Sequence, residues 1–374
     1  MTNTDAAISP AAEAFTIQVQ GIQSVMPLRP TDPRHARKVA LKHPQTVGVF
    51  QKCHHILLHY KKASEQDSGW VLAGRLKESV GRALLEYPMV AGRLRWSNDQ
   101  KMAGRSGELE LVSNDSGIRL VEAKSPMSLD EFLVMKDRED AEGQLVFWEE
   151  LNEQDPQFCP LAYIQVTNFE CGGYSIGFSL SVALGDPLEL ADFLKHSAKL
   201  HKEMFRENKA PVFYLPKLKA SKLLPEPNVA KTRKQPSQTL LYSLNARNSD
   251  NEDISDTSSL AVLKRFALSC VQDAERKLGI SGGLEFALLV KDRETGDLTV
   301  EVGPEGGPMS PSPELKCTKW GDRDSGFAEI TFWETHRPAG VAYWVGLRAG
   351  EGLVMVSSAR GDAADVVVTI PHGK

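Results

Sequence analysis

Residues 171–187 read Cys-Gly-Gly-Tyr-Ser-Ile-Gly-Phe-Ser-Leu-Ser-Val-Ala-Leu-Gly-Asp-Pro, and this stretch predicts the centre of the fold. A glycine turn leads into the apolar run Tyr174–Ser181, whose length and composition are typical of a buried strand. Asp186, followed by Pro187 and then Glu189, has the pattern of an N-cap, a proline at the first helical position and a capping-box carboxylate. The sequence therefore predicts a buried strand that turns directly into a helix.

Strands and helices alternate on both sides of this stretch. Apolar residues recur at helical spacing in 72–84, where Tyr87-Pro88 is expected to end the helix, and again in 260–278. Period-two or continuous apolar runs predict strands at 53–60, 108–111, 161–168, 238–246, 284–290, 298–302, 327–333, 340–348, 353–358 and 365–370. This order favours an α/β class, with helices packed on mixed sheets.

Length and composition describe an ordinary globular chain. It has 374 residues, 41% hydrophobic and 25% charged, with a formal net charge of -5. A chain of this length favours two domains, and we place them at 1–210 and 258–374, joined by a crossover segment at 211–257 that is rich in charge and proline. A negative net charge gives no footprint for nucleic acid or an acidic membrane surface.

No membrane span, secretory signal or metal site is predicted. Residues 1–15 lack a basic region followed by an apolar core, and the longest apolar runs fall short of the ~20 residues that a spanning helix needs. The five cysteines are scattered without a Cys-x-x-Cys pair, which indicates reduced thiols. We expect a cytoplasmic protein.

Two motifs carry a resemblance to a known family. Residues 87–94 read Tyr-Pro-Met-Val-Ala-Gly-Arg-Leu, and residues 166–173 read Val-Thr-Asn-Phe-Glu-Cys-Gly-Gly. Together they resemble the helix exit and the central strand pair of the plant BAHD family of CoA-dependent acyltransferases. The resemblance implies a two-domain BAHD fold, of the chloramphenicol-acetyltransferase-like kind, with mixed sheets, packed helices and a central channel, and here with a shortened C-terminal domain.

The resemblance breaks at the family's catalytic motif, His-x-x-x-Asp-Gly. In register, the histidine falls on Val182 and the glycine on Pro187, so that only Asp186 of the motif remains. Valine cannot accept a proton, and the family's chemistry depends on a general base. We therefore expect no catalytic residue; Ser181 and Ser179 are the remaining candidates, and each would need a base of its own.

The histidines of the chain offer no clear replacement for that base. His196 and His201 follow on the helix that Asp186 opens, too far along it to act at the same bond. His54, His55 and His59 lie on an early strand without the spacing of a metal motif, and a solvated strand face is the expected account.

One branch of the family departs from the motif in a similar way. The Eceriferum and Glossy wax proteins share Val-Thr-x-Phe-x-Cys-Gly-Gly and a chain end like that at 350–354. This resemblance implies an accessory factor in very-long-chain fatty acid elongation for cuticular wax, with a ketoacyl-CoA synthase as partner.

We expect this protein to be a monomer by itself, with no bound cofactor and with acyl-CoA as a possible ligand. We expect its partner to recruit it to the endoplasmic reticulum. The alternatives are an active CoA-dependent acyltransferase with an unconventional base, and a lyase or another reaction evolved in the same channel.

Overall fold

The computed structural model of this chain describes residues 15–42, 44–97, 108–136, 138–206, 234, 236–245, 260–280, 284–292, 294–303, 315–321, 326–334, 336–358 and 363–371. The described strands are β1 Gln18–Val25, β2 Ala36–Leu41, β3 Cys53–Tyr60, β4 Arg93–Trp96, β5 Leu109–Val112, β6 Ile118–Lys124, β7 Ala162–Asn168, β8 Tyr174–Ser181, β9 Ser237–Asn245, β10 Glu285–Lys291, β11 Leu298–Val302, β12 Cys317–Lys319, β13 Gly340–Val345, β14 Glu351–Ser358 and β15 Ala363–Pro371. The α-helices are α1 Gly69–Ala83, α2 Leu129–Val134, α3 Arg138–Glu142, α4 Pro187–Arg206 and α5 Leu260–Leu278. Short 3₁₀ helices cover Pro44–Gln51, Pro88–Ala91, Gly143–Leu145 and Pro156–Phe158.

The strands form two mixed sheets. The first sheet has the order β1-β6-β7-β8-β3-β13, and the second has the order β12-β9-β15-β14-β10-β11-β2-β5-β4. Each sheet contains both parallel and antiparallel pairs, such as the parallel β6 and β7 and the antiparallel β7 and β8 in the first sheet. The predicted α/β class of mixed sheets with packed helices is confirmed.

Each sheet draws strands from both halves of the chain. β13, from the C-terminal half, pairs antiparallel with β3, and β2, from the N-terminal half, pairs parallel with β11. The predicted division at 1–210, 211–257 and 258–374 stays a prediction, but these exchanged strands tie the two halves of the chain together by backbone hydrogen bonds within each sheet.

The largest apolar core is shared by the two sheets. It contains Ile56 and Leu180 of the first sheet, Leu289 and Met355 of the second, and Leu76 of α1. A separate core lies between the second sheet and α5, and smaller clusters cover the other face of the first sheet. The inner faces of the two sheets therefore meet in a region from which water is largely excluded.

β3 and β8 are the central strands of the first sheet, and their sequence explains why. Every residue of both strands is buried, as expected for runs that cover both faces with apolar or hydrogen-bonded side chains. Cys53 pairs with Ser181 at one end and Tyr60 with Tyr174 at the other. This register brings the start of β3 beside the end of β8, where the quoted stretch turns into α4.

Three parts of the predicted element pattern need correction. Residues 327–333 do not form a strand: the Ile330 amide bonds the Phe327 carbonyl at 3.2 Å, and the chain folds into local turns. Phe327, Ile330 and Phe332 are buried, so their apolar spacing serves the core and not a ladder. The strand expected at 340–348 ends at Val345, and α1 ends at Ala83, ahead of Tyr87-Pro88.

Several predicted features lie outside the described residues. They are the residues of the crossover at 211–257 other than Lys234, residue 236 and β9. β9 agrees with the strand expected at 238–246, and the strands expected at 284–290 and 298–302 form β10 and β11, which pair antiparallel.

Candidate functional site between the two sheets

The turn that joins β8 to α4 encloses Val182 completely. Its side chain is 0% exposed and belongs to the shared core, and its amide donates to the Lys52 carbonyl at 3.2 Å. A buried isopropyl group in this setting stabilises the fold by excluding water. It offers nothing that accepts or donates a proton.

Asp186 caps the following helix, as predicted. Its Oδ1 accepts hydrogen bonds from the amides of Leu188 at 2.8 Å and Glu189 at 3.0 Å. The Glu189 carboxylate in turn accepts from the Asp186 amide at 3.3 Å, which completes a capping box. Lys291 pairs with the same Glu189 carboxylate. Asp186 is thus held by its own helix, and one of its carboxylate oxygens is occupied.

Ser179 and Ser181, the remaining candidates for a nucleophile, are both bonded and buried. Ser179 Oγ lies 2.9 Å from His55 Nδ1, and Ser181 Oγ donates to the Phe50 carbonyl at 3.4 Å. Leu180 belongs to the shared core, so the alternation of the strand turns Ser179 to the opposite face. The structure does not bring either serine to Asp186.

On that opposite face, Cys53, His55 and Ser179 are joined by hydrogen bonds in the order of a catalytic triad. The protonation states that a triad needs are not present. Cys53 Sγ lies 3.1 Å from His55 Nε2. Burial raises the pKa of the Cys53 thiol well above its usual range and lowers the pKa of His55 to about 3. A thiol acts as a nucleophile through its thiolate, and here both partners remain neutral, so this group of side chains is structural.

The expectation that His54, His55 and His59 lie on a solvated strand face is wrong. Each is 1% exposed. The reason is their position on β3, which has β8 on one side and β13 on the other and is covered on both faces. Alternation along the strand sends His54 to the face shared with the second sheet and His55 and His59 to the other.

His54 meets Tyr343 of β13 at the inner face. His54 Nδ1 lies 3.0 Å from the Tyr343 hydroxyl, and the two rings stack with centroids 6.1 Å apart. Burial lowers the pKa of His54 to about 4, while the Asp186 carboxylate and the Gly185 carbonyl act in the opposite direction. The imidazole is therefore neutral at pH 7.

The second sheet completes this group of side chains. Thr239 Oγ1 of β9 lies 3.0 Å from Thr369 Oγ1 of β15. The Thr239 hydroxyl also interacts with the Tyr343 hydroxyl as a hydrogen-bond partner. Burial raises the pKa of Tyr343, and this hydrogen bond acts in the opposite direction. Trp320 follows β12, where its amide donates to the Thr239 carbonyl at 2.9 Å, and its ring packs 5.4 Å from that of Tyr343. We call His54, Tyr343, Thr239, Thr369, Trp320 and Asp186 the seam cluster, because they lie where the two sheets meet.

Sequence reasoning named His54 and Asp186 but could not join them to the rest of the seam cluster. His54 and Tyr343 are 289 positions apart, and neither Thr239 nor Trp320 lies in a motif. The usable signal was a histidine at the start of the strand predicted at 53–60. Its partner could be found only from the pairing of β3 with β13.

The other two histidines considered as bases lie away from the seam cluster. His201 is 2% exposed, its Nδ1 is 3.3 Å from the Ser79 hydroxyl, and burial lowers its pKa to about 3. His196 is partly exposed, and its Nε2 lies 3.1 Å from the Glu86 carboxylate.

Across the described ranges, no three His, Cys, Asp or Glu side chains are grouped so that they could hold a metal ion. Among the helices that the structure describes, none has the length and apolar run required to cross a bilayer.

Comparison with known proteins places this geometry in context. The model of the Transferase family matches residues 30–277, more than half of the chain. Protein ECERIFERUM 2 of Arabidopsis thaliana is 32% identical over 118 residues, which cover 31% of this chain and 28% of the relative. Protein ECERIFERUM 26-like of the same plant is 33% identical over 140 residues, covering 36% and 31%. The match thus spans about a third of the length of these curated relatives.

A solved structure, that of vinorine synthase, aligns with 95% of this chain and 95% of its own at 16% identity and a TM-score of 0.47. The assignment to a family rests on the sequence match.

Proposed function

Because this chain belongs to the Transferase family, the plant BAHD acyltransferases, we propose that it is a member without conventional acyl transfer that acts as an accessory factor in very-long-chain fatty acid elongation for cuticular wax. One observation carries the proposal. Where the resemblance of 171–187 to the family's motif puts the catalytic histidine, this chain has Val182, an aliphatic side chain fully enclosed in the core. Losing a general base typically costs about 10²- to 10⁴-fold in rate.

The state of Asp186 supports the same reading. In the family's motif the aspartate accompanies the histidine, whereas here its Oδ1 accepts two amide hydrogen bonds at the start of α4. An N-cap needs no further role to account for the residue. The similarity to the two ECERIFERUM proteins, at 32% and 33% identity, favours the wax branch over the transferring members.

We further propose that the chain works beside a ketoacyl-CoA synthase, as a monomer by itself, and that this partner recruits it from the cytoplasm to the endoplasmic reticulum. Acyl-CoA is its expected ligand, with no resident cofactor. A factor that changes the product of a synthase must touch that synthase or its acyl chain, so association is part of the proposal.

Co-expression tests the proposal directly. The chain is expressed with a very-long-chain ketoacyl-CoA synthase in a host that makes few such acids, and the acyl-length profile is measured. We expect longer acids than with the synthase alone, and the same lengthening with Val182→Ala at matched protein level. An unchanged profile with every synthase tried, together with no physical association, would remove the accessory role.

A second candidate function, CoA-dependent acyl transfer with an unconventional base, is favoured by one observation. His54 is neutral, and the charge of the Asp186 carboxylate acts on it in the direction that favours the imidazolium that would form. In such a step His54 would take the proton of an acceptor hydroxyl as its oxygen bonds to the acyl carbon. The carbon–sulfur bond would break, and the imidazolium would return the proton to the departing thiolate.

Thiol release distinguishes the two functions. Purified protein is incubated with a panel of acyl-CoAs and with alcohol or amine acceptors, and free CoA thiol is measured. The accessory role predicts no release above background. Turnover in the range of ordinary family members, lost in His54→Gln, would establish transfer instead.

A further inference from the structure

The first sheet turns one face to the second sheet, and its opposite face, which we call the outer face, holds three buried residues with unpaired polar atoms. The atoms are Nδ1 and Nε2 of His59, Oγ of Ser175 and Nε1 of Trp344, none of which has a hydrogen-bond partner among the described residues. The three residues are at most 1% exposed. Buried polar atoms in proteins are nearly always hydrogen-bonded, so a group of exceptions needs a physical explanation. The outer face is therefore a candidate for a bound ion or small ligand.

Strand pairing places two of these residues directly opposite each other. His59 of β3 pairs with Ser175 of β8, and directly opposed residues of antiparallel strands point to the same face with Cβ atoms about 4.5–5.5 Å apart. On its other side His59 pairs with Gly340 of β13, and a Cβ built on Gly340 would lie 3.2 Å from His59 Cδ2. Because the Cδ2 edge of the ring faces β13, its Nδ1 edge faces β8 and Ser175. One acceptor atom placed between Nδ1 and Oγ can therefore bond both.

The cover of the outer face limits the size of such a ligand. The Phe132 ring of α2 lies 5.5 Å from the His59 ring between centroids. Phe132 belongs to an apolar cluster with Leu129, Leu145 and Trp344, which packs on this face. A ligand that bonds His59 beneath this cover is enclosed as well, so it must be small.

The charges beside His59 select an anion. Burial lowers the pKa of His59 to about 3, and the positive charges of Arg138 and Lys234 act in the same direction, so both cations lie near the imidazole. Both pair with the Glu142 carboxylate, whose Oε1 lies 3.0 Å from Arg138 Nε and whose Oε2 lies 2.7 Å from Lys234 Nζ. Lys234 Nζ also lies 5.4 Å from the centre of the Trp344 ring. Two positive charges and one negative charge leave one positive charge in excess, and a buried charge is costly unless it is paired.

We propose that His59 and Ser175 bind a small monovalent anion on the outer face of the first sheet, with Arg138 and Lys234 supplying the attraction. The imidazole N–H and the serine O–H both donate, and an anion accepts from both. One negative charge balances the excess positive charge, whereas a cation would be repelled. The proposal does not depend on the accessory role, because none of these residues belongs to the seam cluster.

Chloride is the probe, and thermal unfolding of the full chain measures its binding. At pH 7.5 and constant ionic strength, sodium chloride replaces sodium gluconate, whose anion is too large to fit beneath the cover. A ligand that binds only the folded state raises the melting temperature as its concentration exceeds Kd, so we expect a rise with chloride that gluconate does not give. Broadening of the chloride NMR signal by the folded protein measures the same binding directly.

Lys234→Gln removes the excess positive charge and leaves Arg138 to pair with Glu142. We expect it to weaken chloride binding about 10-fold or more. Lys61→Gln is the matched control, because Lys61 pairs with Asp130 at 2.7 Å but both side chains are exposed, at 56% and 70%. Solvent screens that pair, so we expect the control to leave chloride binding unchanged.

Ser175→Ala removes one donor without adding bulk, and we expect it to weaken chloride binding roughly 2- to 10-fold, the worth of one hydrogen bond. Ser197→Ala is its matched control. Ser197 is also buried, but its Oγ donates to the Phe193 carbonyl at 2.8 Å within α4. We expect this control to bind chloride as the parent does.

Glu142→Gln tests the sign of the charge effect. It removes the carboxylate that offsets one of the two cations, so chloride should bind several-fold more tightly than in the parent. Damage to the fold weakens binding, so a gain in affinity separates an electrostatic role of Glu142 from a structural one.

Three results would overturn the site. The first is an equal melting temperature of the parent in chloride and in gluconate, with no broadening of the chloride signal, which would leave the unpaired atoms to water alone. The second is equal weakening of chloride binding in Lys234→Gln and Lys61→Gln, which would indicate a general ionic effect. The third is unchanged affinity for chloride in Ser175→Ala and Glu142→Gln, with both variants folded by circular dichroism, which would place the anion elsewhere.

Discussion

Lowering the pH from 7.5 to 5.0 should greatly reduce the free energy of unfolding of this protein, because the fold buries four neutral histidines. Burial lowers the pKa of His54 to about 4 and the pKa values of His55, His59 and His201 to about 3. In the unfolded chain a histidine titrates near 6.5. Between these pH values the histidines bind protons in the unfolded state but not in the folded state. The free energy of unfolding is therefore highest above about pH 6.5 and falls as the pH drops toward 4.

The size of the effect follows from the same values. A pH of 5 lies about 1.5 units below the unfolded pKa of each histidine, so each one lowers the free energy of unfolding by roughly 2 kcal/mol at that pH. Four such groups give at most about 8 kcal/mol, against a typical folding stability of 5–15 kcal/mol. We therefore expect the urea midpoint, followed by tryptophan fluorescence, to fall steeply between pH 6.5 and 5.0.

Two variants assign the slope to buried histidines. His201→Gln removes one of the four titrations, so its loss of free energy of unfolding between pH 7.5 and 5.0 should be smaller than the parent's by up to about 2 kcal/mol. His35→Gln changes a histidine whose side chain is exposed and should leave the slope as it is. Equal free energies of unfolding at pH 7.5 and 5.0 in the parent, or a slope that His201→Gln does not alter, would refute the reasoning.

Three further outcomes are expected from substitutions near the β8 to α4 turn. Asp186→Asn should be nearly neutral and Asp186→Ala should cost about 1 kcal/mol of unfolding free energy, since asparagine caps a helix and alanine does not. Equal losses of unfolding free energy in the two variants, measured by chemical denaturation, would point to a role for the charge. Val182→His places a larger polar ring in a fully enclosed site and should cost about 1–3 kcal/mol; if the folded variant releases CoA thiol where the parent does not, only the base was missing. Gly177→Ala places a methyl group against the Leu145 carbonyl oxygen and should lower the melting temperature by several degrees. Gly321→Ala is the control, because the space around Gly321 is open, and it should leave the melting temperature unchanged. Similar shifts of the melting temperature in both variants would contradict the packing argument.

Local patterns in the sequence determined much of the fold around the candidate site. Cys53–Tyr60 and Tyr174–Ser181 were predicted as strands with the bounds that the structure has. Asp186 was predicted as the cap of α4, and the motifs at 87–94 and 166–173 indicated the family. These features are readable because strand alternation, helix caps and short motifs depend on residues close together in the chain.

Other elements were beyond local patterns. β1, at the edge of the first sheet, alternates glutamine with small or apolar residues and offers a weak apolar signal. Residues 327–333 carry apolar side chains at spacing that fits a strand, yet their backbone bonds close local turns. A strand exists only where a partner strand accepts its hydrogen bonds, and sequence spacing cannot show that partner.

The tertiary structure alone decided what surrounds His54. From the sequence, the histidine-rich strand was expected to present a solvated face, and Asp186 was expected to cap a helix. The pairing of β13 with β3 brings Tyr343 to His54, and the second sheet supplies Thr239 and Trp320. Burial and the pKa of a side chain depend on contacts between residues hundreds of positions apart, and only the folded chain brings those residues together.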